Sequence, residues 1–409
     1  MGVETVRQGD PGQHAGAGLL LLLGAMSAFP PVTTDIYLPA LPELTRGLHG
    51  SVTQGQVTLA VYFVGLGFGQ LFYGPWSDRI GRRPTMLVGA AVYLCASIGC
   101  ALAVSMQQMI ALRFLQALGA CSGVVISTAV VRDRFGHQES ARIFSMLLTL
   151  RGLGPILAPL AGGVIVTWLG WRAIFWAVTG FGLALALSVF FGLRESRTAA
   201  VAVRARTESP ARTYAAILGE RRILGYMFTS GLNFSCMFAW IAAAPFLVIS
   251  YYKVPPLYFG WIFGINAAGF MIAAQINRWL LKSHRADDIL PCGAIGAALA
   301  AAALLLDALT GFGGVLGVFL PLFLVVSSLG FVSTNALAGG MAVDPSRAGA
   351  VSALFGASQF SVAGLTTAGA ALLSRQPALA MAAVIMLCAA GALVYPLRLL
   401  MRRRAQVPG

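Results

Sequence analysis

Charged residues are scarce in this sequence: Asp, Glu, Lys and Arg make up 10% of its 409 residues, whereas 58% are hydrophobic. Acidic residues are the scarcest, with 14 Asp and Glu against 28 Lys and Arg. A soluble protein of this length needs a polar surface, and this composition does not supply one. The shortage of charge therefore excludes an ordinary soluble globular fold.

Residues that bind metals or perform covalent catalysis are also few. Predicted loops and tails hold all four histidines: His14, His49, His137 and His284. The six cysteines lie in or beside apolar segments without a Cys-x-x-Cys pair, so we expect buried free thiols. Metalloprotease-type His spacing and clustered acids are absent from the sequence. We therefore expect no metal, no cofactor and no enzymatic activity.

Long apolar runs dominate what is present. A helix that crosses a bilayer needs about 20 apolar residues. Twelve runs qualify, at residues 17–38, 52–73, 84–104, 107–130, 141–167, 171–193, 223–250, 256–280, 288–308, 313–341, 347–373 and 377–399. The first run follows Glu4, Arg7 and Asp10, a poor basic region for a signal peptide, and reads as an uncleaved first helix. The sequence predicts an all-α membrane protein with twelve transmembrane helices.

The basic residues are distributed unevenly between the two sides of the predicted membrane. With a cytoplasmic N-terminus, the outer segments hold only Arg46, Arg172, Lys253 and Arg375 of the 28 Lys and Arg. This bias predicts a multi-pass membrane protein with both termini cytoplasmic. The net charge of +14 then reflects topology and contact with the lipid bilayer, and we expect no nucleic-acid partner.

The longest polar interruption divides the chain in two. Residues 194–222 contain seven arginines: Arg194, Arg197, Arg204, Arg206, Arg212, Arg221 and Arg222. We expect an N-terminal six-helix half at residues 1–193, a cytoplasmic linker at 194–222, and a C-terminal six-helix half at 223–409.

A short basic turn joins the second and third spans. Residues 74–84 read Gly-Pro-Trp-Ser-Asp-Arg-Ile-Gly-Arg-Arg-Pro, and we expect Gly74 to allow close helix packing and Gly81 to allow the turn. The stretch resembles the signature of the major facilitator superfamily, which implies two pseudo-symmetric halves and a conformational latch. In that resemblance Asp78 holds the cytoplasmic side closed near the end of helix eleven, and the arginines bind acids or headgroups. The latch residues are Gly74, Asp78, Arg79, Gly81, Arg82 and Arg83.

Span five contains a run of glycine and proline. The prolines bend a helix, and the glycines allow near contact with a partner helix. The run resembles the fifth-helix motif of antiporters in the superfamily, although Ala158 stands where glycine is commoner; an ordinary kinked helix is the alternative. The motif residues are Gly154, Pro155, Pro159, Gly162 and Gly163.

Asp35, Arg113 and Arg151 are charged residues that lie at least three residues inside a predicted span, where charge is costly and usually functional. Counting from the predicted helix edges at 1.5 Å per residue, Asp35 lies about 6 Å and Arg113 about 9 Å inside the outer face. The shared depth predicts proton coupling or substrate contact by a pair or a shared water network. The alternatives are that Asp35 caps a segment and that Arg113 anchors two helices. For Arg151, about 15 Å deep, the alternatives are that it binds an anionic substrate group, that it snorkels, or that it bonds to carbonyls freed by the prolines that follow.

Three stretches resemble, more narrowly, the bicyclomycin and chloramphenicol resistance type of drug/proton antiporter. They are Thr34–Pro42, Arg113–Ala120 and Asn335–Phe360. This resemblance implies that Asp35 and Arg113 take part in drug recognition and proton linkage. It also implies a cavity lined from helices seven and ten, with plain packing as the alternative for each residue. The cavity candidates are Tyr37, Arg151, Asn233, Phe234, Met237, Phe238, Trp240 and Asn335.

The resemblance, together with the buried charges, implies a proton-coupled multidrug or phenicol-type efflux antiporter of the bacterial inner membrane that works by alternating access as a monomer. Its partners would be a small-molecule drug, protons and the bilayer. One alternative is a proton-coupled importer of a nutrient or organic acid, which Arg151 favours mildly. A polytopic membrane enzyme is the other alternative, and the sequence lacks the clustered nucleophiles or ligands that it requires.

Overall fold

The computed structural model describes residues 17–207, 209–372 and 377–404, and within these ranges it is helical without a strand. The α-helices are α1 Ala17–Asp35, α2 Leu41–Gly47, α3 Val52–Ile80, α4 Arg82–Leu102, α5 Met106–Arg134, α6 His137–Leu169, α7 Trp171–Gly192, α8 Ala199–Thr207, α9 Pro210–Leu218, α10 Arg221–Ala244, α11 Pro256–Leu280, α12 Ala286–Thr310, α13 Gly314–Val343, α14 Ala348–Leu372 and α15 Pro377–Arg404. The short helices α8 and α9 lie in the predicted linker. A 3₁₀ turn at Leu38–Ala40 joins α1 to α2, and a π-helical turn at Pro245–Tyr251 extends α10.

Twelve segments of the described chain are long and apolar enough to cross a membrane, which confirms the predicted fold class and number of spans. The first segment runs to Gly47 instead of ending near residue 38. The reason is local: Pro39 and Pro42 stand in the first turns of short helices, where proline is tolerated, and do not end the segment. Asp35 therefore lies about 18 Å from the end of this segment, well beyond the predicted 6 Å.

All six cysteines are free thiols, as expected, but two of them are not buried. Cys95 and Cys292 are exposed, whereas Cys100, Cys121, Cys236 and Cys388 are buried. The two exposed residues lie on α4 and α12, in apolar spans that present part of their surface outward. An apolar segment therefore does not by itself place a thiol inside the protein.

The helices pack in two groups. In the first group α5 contacts α1, α3 and α4, while α6 packs on α1 and α7 on α4. In the second, α10 contacts α13, α14 and α15, and α13 contacts α11 and α12. Two helix pairs form most of the contact between the groups, α3 with α14 and α6 with α11. Both pairs pack closely through glycine: a Cβ at Gly364 would lie 2.8 Å from the Ala60 carbonyl oxygen.

The molecule has two membrane faces. We call the face that carries the α3–α4 turn and residues 194–222 the arginine-rich face, and the other the opposite face. At the opposite face the two helix groups meet directly. Thr53 Oγ1 donates a hydrogen bond to the Ala371 carbonyl at 3.0 Å, and a Cβ at Gly55 would lie 2.7 Å from Phe246 Cζ. The opposite face is therefore closed.

Candidate functional site

A fully buried guanidinium lies between two tyrosine rings on the opposite-face side of the first helix group. Arg113 Cζ is 4.2 Å from the ring centroids of both Tyr37 and Tyr62. Arg113 Nη1 donates to Gln116 Oε1 at 2.6 Å, and Gln116 Nε2 donates to Ser97 Oγ at 2.7 Å. Cation–π stacking and this hydrogen-bond chain hold the guanidinium plane in one orientation.

Two donors of this guanidinium are left over. Arg113 Nε and Nη2 are buried and have no hydrogen-bond acceptor among the described residues. An unsatisfied buried donor costs about 1–3 kcal/mol, and more when the group is charged. Two donors of a fully buried cation are therefore available to an acceptor that is not among the described residues.

Asp35 ends α1, where the chain turns into Ile36 and Tyr37. Its side chain is buried, and it forms no hydrogen bond or salt bridge with another described residue. The direct pair with Arg113 is therefore not formed. Both charges nevertheless lie close enough to Tyr62 to interact electrostatically with its hydroxyl. An ionised carboxylate without a partner is costly to bury, and adding a proton removes that charge.

Helix α6 packs against the turn that carries Asp35. A Cβ at Gly162 would overlap the Ile36 carbonyl oxygen, the first carbonyl after the acid. The next residue faces the other helix group, since a Cβ at Gly163 would lie 2.6 Å from the Pro256 carbonyl oxygen of α11. Pro155 and Pro159 lie inside α6, as predicted for a bent helix. Through Gly162 and Gly163, α6 touches both the acid-bearing turn and the second group.

Arg151 lies on α6 and reaches back to α1. Its Nε donates to Ser27 Oγ, and the side chain is half-buried. The partner is a hydroxyl of the neighbouring helix and not a freed helix carbonyl. The structure thus places a cation between α1 and α6, near the middle of α6.

The cavity candidates fall into two classes. Asn233, Trp240 and Asn335 are fully buried, and the two amides bond across helix contacts: Asn233 Nδ2 donates to Ser328 Oγ at 3.1 Å, and Asn335 Nδ2 donates to Asn277 Oδ1 at 2.7 Å. Phe234 and Met237 are partly exposed. Each of the two amides thus has a hydrogen-bond partner on a neighbouring helix, whereas Phe234 and Met237 are accessible.

An aromatic cluster joins the two helix groups. It consists of Phe63 on α3, Phe234 and Phe238 on α10, and Phe360 on α14. The rings of Phe63 and Phe238 have centroids 3.9 Å apart, and Phe234, Phe238 and Phe360 lie within 5.0–5.8 Å of one another. Edge-on and tilted contacts of this kind contribute beyond the apolar area they bury.

The α3–α4 turn is built around Arg82, whose side chain is 4% exposed. The guanidinium donates to Asp78 Oδ1 at 2.5 Å, to Ser77 Oγ at 2.6 Å and to Asp133 Oδ2 at 2.7 Å. Gly81 has φ 117°, a conformation that favours glycine, as predicted. Asp78 thus bonds within its own helix group, and its role against the end of α14 stays a prediction.

A comparison with known proteins decides the family. The profile of the Major Facilitator Superfamily matches residues 20–368. The chain belongs to the major facilitator superfamily. A bicyclomycin resistance protein homolog of Haemophilus influenzae is 31% identical over 347 residues, which cover 84% of this chain and 86% of that protein. A chloramphenicol resistance protein of Pseudomonas aeruginosa is 31% identical over 319 residues, 76% of this chain and 73% of that protein.

Solved structures agree on the superfamily fold. A peptide transporter crystallised with sulfate superposes with a TM-score of 0.75 at 14% identity, over 96% of both chains. The predicted superfamily and its twelve-helix transporter fold are confirmed.

Some superfamily residues have other surroundings than the sequence suggested. A Cβ at Gly74 would meet no atom within 4 Å, so the expected close packing at Gly74 was wrong. The physical reason is that this side of α3 faces open space. Arg79 uses its carbonyl, which accepts from Arg197 Nη1, while Arg83 Nη2 donates to the Phe190 carbonyl at 2.7 Å.

Sequence reasoning missed Glu195, which follows α7. Its Oε1 accepts from the backbone N–H of Arg82 at 2.9 Å, and its Oε2 accepts from that of Arg83 at 3.2 Å. The carboxylate thereby caps the positive N-terminal end of α4. Burial raises the pKa of Glu195, but backbone hydrogen bonds from Arg197, Arg82, Arg83 and Ser196 outweigh it, and the net pKa is lowered. The same segment also holds Glu208 and Glu220, so nothing in the sequence set Glu195 apart.

Glu195→Gln should destabilise the protein by about 1 kcal/mol, since the cap loses its charge. Because the folded pKa of Glu195 is lowered, its contribution is present above the unfolded pKa and is lost as the pH falls through the folded value. Thermal unfolding of purified protein should therefore separate the variant from wild type at pH 7 but not below about pH 3. Glu139→Gln, on the same face, is the control. An equal difference at both pH values would contradict the assignment.

Arg113→Lys should remove most transport although it keeps the positive charge. An ammonium cannot stack its plane between Tyr37 and Tyr62 or present the same fork of donors. We expect at least a tenfold loss of efflux rate with normal membrane abundance, measured by dye efflux and immunoblot. Arg172→Lys, a cation stacked on Trp171 away from this site, is the matched control. Full activity of Arg113→Lys would show that charge alone suffices.

Proposed function

We propose that the protein exports amphiphilic drugs across the bacterial inner membrane in exchange for protons. The observation that carries the proposal is the site itself: a buried, unpaired Asp35 and an Arg113 with two unsatisfied donors, both near Tyr62. The relatives named for bicyclomycin and chloramphenicol resistance support the substrate class. Twelve spans and the charge bias support a cytoplasmic location for both termini and the arginine-rich face.

In this proposal the moving units are residues 1–193 and 223–409, joined by the linker 194–222. The pairs α3–α14 and α6–α11 are the surfaces along which they rock. Closure of the opposite face corresponds to the state that loads drug from the cytoplasm. Separation at Gly163 and Pro256 would then admit external protons to Asp35.

Coupling would follow from competition at one site. A proton from outside neutralises Asp35, which removes a buried charge and releases the drug. Deprotonation toward the cytoplasm restores the carboxylate, and the drug's acceptor groups engage Arg113 Nε and Nη2. Each proton contributes about 2.3 kcal/mol per 100 mV of membrane potential. Partly exposed Phe234 and Met237 suit loosely specified apolar ligands.

The test of this function is a susceptibility panel in an efflux-deficient host with phenicols, bicyclomycin and quaternary ammonium dyes. We expect expression to raise resistance to at least one class, and inverted vesicles to accumulate that drug only when a proton gradient is present. Unchanged susceptibility to the whole panel, together with no gradient-driven uptake, would refute the proposal. Cross-linking in native membranes should show a single chain, the monomer that we propose.

A proton-coupled importer of an organic acid is the second candidate, and one observation favours it. Arg151 is a half-buried cation between α1 and α6 that an anionic substrate could reach. Growth on organic acids as sole carbon source separates the two candidates. Growth that depends on expression and on Arg151, without a change in drug resistance, would establish the importer.

A further inference from the structure

A lateral groove lies between α10, α14 and α15, away from Asp35 and Arg113. Helices α14 and α15 touch each other little, while both pack on α10, which forms the floor of the groove. Its volume is about 740 Å³, within the range of small-molecule sites. The efflux cycle proposed above uses none of the groove residues.

The groove has a charged end and an apolar body. Arg221, Arg222 and Arg398 line the end at the arginine-rich face, and all three are exposed. Apolar side chains, among them Phe228 at 55% and Val394 at 44% exposure, line the rest. None of the described lining residues is acidic. Three cations therefore converge without an anion of the groove to neutralise them.

The length of the groove matches one leaflet of a bilayer. Its floor runs along α10 from Arg221 to Leu232, about 16 Å at 1.5 Å per residue. The hydrocarbon core of a bilayer is about 30 Å thick, so one leaflet supplies about 15 Å. The arginines thus stand at headgroup level, and the apolar body spans the depth of an acyl chain.

We propose that this groove binds an anionic phospholipid of the cytoplasmic leaflet. The phosphate contacts Arg221, Arg222 and Arg398, and one acyl chain fills the space between α14 and α15. Basic pockets between helices on the cytoplasmic side are suited to anionic headgroups. The backbone at the start of α10 is capped by Glu220, whose Oε1 accepts from the Arg222 N–H at 3.2 Å, so the contact with the phosphate rests on the three arginine side chains.

Native mass spectrometry of the purified full-length protein tests the site, with added phosphatidylglycerol, phosphatidylcholine or inorganic phosphate. We expect retention of phosphatidylglycerol and weak retention of phosphatidylcholine and phosphate. The triple variant Arg221→Gln, Arg222→Gln, Arg398→Gln should weaken phosphatidylglycerol binding roughly 100-fold, since each arginine near the surface contributes about fivefold. Arg278→Gln, Lys282→Gln, Arg285→Gln removes the same charge elsewhere on this face and should bind as wild type.

Val394→Trp fills the apolar body and should also reduce binding while leaving the arginines in place. Neutral residues in the first turn of α10 do not oppose its dipole, so the triple variant is expected to fold. Equal retention of phosphatidylcholine, retention of phosphate in place of lipid, or equal weakening in the control variant would each overturn the proposal. This binding experiment does not measure transport, so its result is independent of the efflux proposal.

Discussion

Asp35→Asn is expected to lower proton-driven efflux to the level of the empty host while the protein still inserts in the membrane. Asparagine has nearly the same shape, so the packing around this buried position is kept, but it cannot bind and release a proton at physiological pH. If the carboxyl of Asp35 is the exchanging group, the variant loses the use of the proton gradient altogether. Drug uptake into inverted vesicles, with and without the gradient, measures this directly.

The matched control for this prediction is Glu43→Gln. Glu43 lies on the same first segment, in α2, but outside the buried cluster around Tyr62. We expect this variant to keep wild-type uptake and its dependence on the gradient. Normal gradient-driven uptake by Asp35→Asn would exclude Asp35 as the coupling group and would contradict the proposed proton–drug exchange.

Gly162→Ala is expected to have the second large effect. A methyl group at this position would overlap the Ile36 carbonyl oxygen, and this oxygen belongs to backbone that cannot rotate away. The cost should exceed the about 1–3 kcal/mol typical of an overpacked core, because α6 must move off α1. We expect loss of transport together with a lower unfolding temperature in detergent, measured on the same preparation.

Two other glycines calibrate this result. A Cβ at Gly154, on the same helix, would lie 3.5 Å from Pro31 Cβ, an ordinary contact, so Gly154→Ala should be much milder. A Cβ at Gly180 on α7 would meet nothing within 4 Å, so Gly180→Ala should match wild type. A thermostable, active Gly162→Ala would show that the contact of α6 with the acid-bearing turn is dispensable.

The fold was predictable because spanning a bilayer requires long apolar helices, and run length alone reveals them. The superfamily followed from one turn, where Gly81 needs its unusual backbone and Arg82 needs its acids. The prediction of helix ends was less accurate, because a proline ends a helix only in some local contexts. Pro39 looked like the end of the first segment, yet the chain continues to Gly47 and leaves Asp35 deeper than counted.

The site was predictable in part for the same reason. Asp35 and Arg113 stood out because charge inside a span is rare, but their relation through Tyr62 depends on how α1, α3 and α5 approach one another. Two other features join distant parts of the chain: the cap that Glu195 forms on α4, and the aromatic cluster. A single sequence carries no signal for such pairings, since each residue taken alone is ordinary.

The aromatic cluster has a consequence for an empty carrier. In the proposed cycle, opening toward the exterior would part the ring of Phe63 from that of Phe238, and without a bound drug the two ring faces would be exposed to water. A bound apolar drug would cover the same ring faces during the conformational change. In the proposed cycle, this exposure would disfavour cycling without a drug, which would otherwise dissipate the proton gradient.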